Sequence, residues 1–70
     1  MSAQNHDNFP NGLSNPARRA LAAAGCENLA QLAQFREREV RQWHGIGPHA
    51  LGLLRAALQA KGLTFAKDQL

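Results

Sequence analysis

HGIGPHAL, residues 44–51, sets two glycines around one isoleucine and follows them with a proline and an apolar run. The pattern predicts a tight turn between two helices. A chain that reverses within a few residues needs positions of positive φ, and Gly45 and Gly47 can supply them cheaply. Ile46 is expected to point inward as the apolar plug of the turn. Pro48 suits the first position of the next helix, where a missing N–H costs nothing.

Downstream, Ala50, Leu51, Leu54, Ala57 and Leu58 form one apolar stripe at helical spacing, so a helix is predicted from Pro48 to about Lys61. Gly62 follows as its terminator, and Leu63 is placed to fold back on Leu58. Upstream, "REREVRQW" predicts a helix over 37–43, with Glu37 and Glu39 where the helix dipole favours acids. Its start offers no Ser, Thr, Asp or Asn. Val40 and Trp43, with Phe35 just ahead, are its expected buried positions. A shorter helix follows Asn28, which can cap it with Gln31 three residues on, and Leu29, Leu32 and Ala33 are its apolar set. The first helix is expected over Pro16–Ala24, with Asn15 as cap and Gly25 as terminator. Nothing alternates in the manner of a strand. The fold class expected is all-α, a compact bundle of four to five short helices. The fifth would be an extra turn near Phe9–Leu13, two residues expected to fold back on the core.

Seventy residues make one small domain. Residues 1–12 are expected to be a flexible lead-in, with 1–8 a mobile tail. Residues 13–66 are expected to be the domain and 67–70 a C-terminal tail. The single cysteine, Cys26, permits no internal disulfide and reads as a small buried residue, which fits a reducing compartment. No apolar run approaches the roughly 20 residues of a membrane span, and "MSAQNHDNFP" has neither the basic nor the apolar region of a signal peptide. A cytoplasmic monomer without membrane contact is expected. The net charge is +3, and residues 16–66 hold seven Lys/Arg against three Glu. A small basic domain is compatible with a polyanionic partner.

The turn also has a chemistry. The start of a helix leaves N–H groups unpaired at the positive end of its dipole, and glycine removes the bulk that would keep a phosphate away. Pro48 has no N–H, so the donors would be Gly47, His49 and Ala50. Such a cradle reads backbone, not base sequence. Arg18, Arg19, Arg41 and Arg55 would support it electrostatically, and the binding would weaken with salt. If His49 lies beside a phosphate, affinity should rise as pH falls and the imidazole gains charge. His44, His49 and Cys26 lack the spacing of a metal site, and no cofactor is expected. Trp43 reads as core, with stacking on a base as the alternative. No paired carboxylates or Ser/His/Asp set points to an enzyme.

"VRQWHGIGPHALGLLRAAL", residues 40–58, resembles a helix-hairpin-helix motif. The resemblance implies binding of DNA phosphates through hairpin N–H groups, and a monovalent cation held by the carbonyls of Arg41, Trp43 and Ile46. More widely, "ALAAAGCENLAQLAQFREREVRQWHGIGPHALGLLRAALQAKGLTFA", residues 20–66, resembles the C-terminal domain of the bacterial RNA polymerase α subunit. That resemblance covers roughly two-thirds of the chain and implies a SAM-like fold. It also implies DNA contact by the first helix start and the Gly-containing turn. Pro16 and His49 stand where that family carries an Arg and a Lys, and Arg18 and Arg19 are the nearest substitutes. The function expected is non-sequence-specific binding of double-stranded DNA, through Gly45, Ile46, Gly47, His49 and Ala50 with Arg18, Arg19 and Arg41. The rival is a protein-interaction module docking on transcription proteins through Leu53, Phe9 or Phe65.

Overall fold

The computed structural model of the chain describes residues 9–67; the mobile tail expected over 1–8 and the end of the C-terminal tail lie outside them. The described chain is all-α, with four helices in order: α1 (Asn15–Ala23), α2 (Leu29–Leu32), α3 (Glu37–Arg41) and α4 (Pro48–Ala60). Among the described residues there is no strand, only a single parallel bridge between Arg36 and Ala66. None of these helices is long and apolar enough to cross a membrane.

The cap of α1 is Ser14, not Asn15: its Oγ accepts from the Ala17 N–H at 3.2 Å. Two adjacent residues were chemically able to cap, and the one whose oxygen reaches the third N–H of the helix does so. At α2, Asn28 Oδ1 accepts from Gln31 N–H at 2.9 Å, and Gln31 Oε1 accepts from Glu27 N–H at 2.6 Å. For α3, Glu39 Oε1 accepts from the Arg36 N–H at 2.9 Å, so a side chain inside the helix serves the donor ahead of it. The helix stops at Arg41, short of the expected Trp43. Gln42 and Trp43 N–H groups turn to the carbonyls three residues back, Glu39 and Val40, which tightens the last turn.

α1 and α4 end alike. Gly25 and Gly62 both sit at φ +75. Cys26 N–H returns to Leu21 O at 2.9 Å and Leu63 N–H to Leu58 O at 2.8 Å, the six-residue closure of a Schellman motif.

All four helices share one core. Ala17, Leu32, Val40, Leu54 and Leu58 are fully buried, joined by Leu13, Leu21, Cys26, Leu29, Ile46, Leu51 and Phe65. Phe9 and Leu53 are half-buried against it, and a Cβ on Gly12 would lie 3.6 Å from Leu53 Cδ1. The Pro10–Gly12 turn therefore lies across α4. Phe65 is buried, and Ala66 N–H donates to Phe35 O at 2.9 Å, so the segment after α4 is tied to the chain ahead of α3. The expectation that Leu53, Phe9 and Phe65 form an exposed apolar handle is corrected at Phe65, which is buried in this core; Phe9 folds back on the core as expected, and Phe9 and Leu53 keep part of their surface exposed.

Candidate functional site

The α3–α4 turn is assembled by two hydrogen bonds local in sequence and one close approach. Trp43 N–H donates to Val40 O and Ile46 N–H to Trp43 O, each at 3.1 Å. Ile46 is buried, as its position between the glycines led one to expect. Its N–H is already used, so Ile46 has no backbone donor to offer a phosphate.

The two glycines differ. Gly45 has φ +99, and a Cβ there would lie 2.5 Å from the carbonyl oxygen of Pro16. Both the backbone conformation and the contact require glycine. Gly47 has φ −105 and ψ −178, extended backbone open to any residue, and a Cβ there would meet nothing within 4 Å. The expected positive φ at Gly47 is thus corrected. One left-handed residue suffices to reverse the chain, and Gly47 is already the extended N-cap of α4.

Gly47, Pro48 and His49 are exposed, while the Ala50 side chain is buried. Leu51 N–H donates to Gly47 O at 2.9 Å and opens the helix. Among the described residues, none accepts a hydrogen bond from the N–H groups of Gly47, His49 or Ala50, and no side chain caps α4. The other three helices all have a side-chain oxygen at their starts. The 13-residue α4 therefore presents unpaired donors at the positive end of its dipole, a geometry that accepts an anion.

The Pro16–Gly45 contact sets the first turn of α1 against this turn. Further along α1, Ala20, Ala23 and Ala24 face Trp43 and His44 across a shallow depression of about 290 Å³. Arg19 lies four residues before Ala23 and shares its flank; Arg18 is turned roughly 100° further round the helix. Arg18, Arg19 and Arg41 are exposed, and none forms an ion pair among the described residues. Arg55 differs: it is paired with Glu37, tying α4 to α3. That pair borders a second groove of about 380 Å³ against Thr64–Lys67, at the far end of α4.

Trp43 is half-buried, edge-to-face with Phe35 at a centroid separation of 5.1 Å and an interplanar angle of 81°. It thus packs partly as core and partly as the wall of the depression. Cys26 is buried; desolvation pushes its thiol up to about 11, partly offset by the backbone at Asn28. A thiol so held is a poor nucleophile. Among the described residues no three His, Cys, Asp or Glu gather as metal ligands.

Sequence reasoning missed three features of this surface: the Gly45–Pro16 contact, the Glu37–Arg55 pair and the depression. Each joins positions far apart in the chain, and no local pattern signals them. No protein-family model matches the chain, and no curated protein matches it in sequence.

Proposed function

We propose that this chain is a non-catalytic, monomeric, cytoplasmic domain that binds double-stranded DNA without sequence preference. In this reading α3, the turn and α4 are a helix-hairpin-helix motif within a SAM-like fold, akin to the C-terminal domain of the RNA polymerase α subunit. A backbone phosphate docks on the N–H groups of Gly47, His49 and Ala50. Arg19 and Arg41 add positive potential beside it, and Arg18 contributes at longer range.

The observation that carries the reading is the glycine at position 47. Neither its extended backbone nor internal packing calls for glycine, and its missing side chain leaves open space over unpaired donors. A close-approaching anion supplies the reason that the fold itself does not. The local excess of Lys and Arg makes a polyanion the fitting partner. Binding through so few phosphates is expected to be weak, with a Kd on the order of 10⁻⁴–10⁻⁶ M at physiological salt.

The test is an NMR titration of ¹⁵N-labelled protein with a short duplex at low and at physiological salt. Amides from Gly45 to Leu51 should shift, and the shifts should shrink with salt. Silence at low salt sinks the reading. Shifts on addition of a transcription protein but not DNA would give the surface to a protein partner.

A further inference from the structure

The phosphate cradle has a neighbour that duplex binding leaves unused: the depression between α1 and the turn. Its floor is Ala20, Ala23 and Ala24, its wall is Trp43 and its lip is His44. At about 290 Å³ it lies just below the range of cavities for drug-sized ligands, which starts at about 300 Å³. An aromatic wall over an alanine floor suits a flat, apolar-faced ring. No acidic side chain lines it, and Arg19, four residues before Ala23, lies on the same flank of α1. Trp43 and His44 immediately precede the turn that carries the cradle. A strand whose phosphate rests on Gly47–Ala50 can turn its adjoining base toward them.

Resting on the function proposed above, we infer that this depression receives an unpaired nucleobase, so that the domain prefers DNA containing an unstacked nucleotide over intact duplex. A base within the stack cannot reach such a pocket; a bulged or unpaired one can, at little unstacking cost. Arg19, on the same flank of α1 as Ala23, and the adjoining cradle favour this occupant over an apolar side chain of a protein.

Trp43 is the only tryptophan, so its emission reports on the pocket directly. Three DNAs serve as probes: an intact duplex, the same duplex with one extra unpaired thymidine, and that bulged duplex with an abasic sugar in place of the thymidine. The bulged DNA should bind about fivefold or more tighter than the duplex and quench Trp43. The abasic DNA, which keeps every phosphate, should bind like the duplex and leave Trp43 unquenched. Ala23→Leu, which fills the pocket from an exposed helical position without changing charge, should abolish the preference and retain duplex affinity, with an unchanged circular dichroism spectrum.

Equal affinity for all three DNAs, with salt-sensitive shifts at Gly45–Leu51, overturns the inference and leaves the phosphate reading standing. Absence of binding by any of them overturns both. A preference that survives in the abasic DNA or in Ala23→Leu shows that flexibility, not the base, is read, and also overturns it. Quenching by an acidic phenylalanine-containing peptide, without response to the bulge, would assign the pocket to a protein partner instead.

Discussion

Gly45 and Gly47 stand two residues apart in one turn, yet answer to different demands. Gly45 is an internal component. Its left-handed backbone reverses the chain, and its bare Cα lets the Pro16 carbonyl approach. Gly47 is an external one: ordinary backbone, no neighbour, and a helix start left uncapped. The same residue type thus builds the fold at one position and leaves room beside it at the other. A glycine motif therefore has to be divided, position by position, into what the fold uses and what it leaves over.

The largest effect expected is at Gly45. Gly45→Ala forces a side chain into the left-handed region, at about 1–2 kcal/mol, and against a backbone oxygen, at about 1–3 kcal/mol more. A domain of this size has only about 4–10 kcal/mol in total. Thermal unfolding of the variant should come roughly 10 °C or more lower. An unchanged midpoint would mean that the turn tolerates another geometry, and the contrast between the glycines would dissolve.

At Gly47 the signs should separate. Gly47→Asp places a carboxylate where it can accept from the open N–H groups of α4 and complement the helix dipole, a gain of a few tenths to about 1 kcal/mol. The midpoint should hold or rise. DNA binding should fall by about tenfold or more, because the new carboxylate occupies the cradle and repels phosphate. Loss of both stability and binding would place Gly47 with Gly45 as a structural residue. Retention of both would remove the cradle.

The same division describes what was legible in the sequence. Local chemistry was readable: the Gly25 and Gly62 stops, the Asn28 cap, the Pro48 start and the Leu54/Leu58 stripe are each set within a few residues, and the structure has them all. Ser14 and Asn15 were interchangeable by type, so only the geometry could select the cap. The start of α3 looked bare because its cap comes from Glu39, inside the helix. Phe65 looked like a loose end because its burial depends on Ala66 reaching Phe35, some thirty residues earlier. The turn motif was visible in the sequence, but its partition was not. Which glycine takes the left-handed turn, and that Pro16 packs against it, are set only when α1 and the turn come together.

The smallest effect expected separates the two neighbouring arginines, which the sequence could not rank. Both are exposed and neither is paired among the described residues, so a purely electrostatic contribution would be nearly equal. Helical phase makes them unequal: Arg19 shares the flank of Ala23, beside Trp43 and His44, whereas Arg18 is turned away. If the turn is the DNA-facing surface, Arg19→Ala should weaken duplex binding several-fold and lower the slope of log K against log salt by about 1. Arg18→Ala should lower affinity slightly and leave the slope nearly unchanged, since a charge that touches no phosphate releases no counterion. Equal slopes for the two variants would mean that the phosphates do not lie along the α1–turn groove. The cradle would then act alone, and the nucleobase pocket beside it would lose the strand meant to reach it.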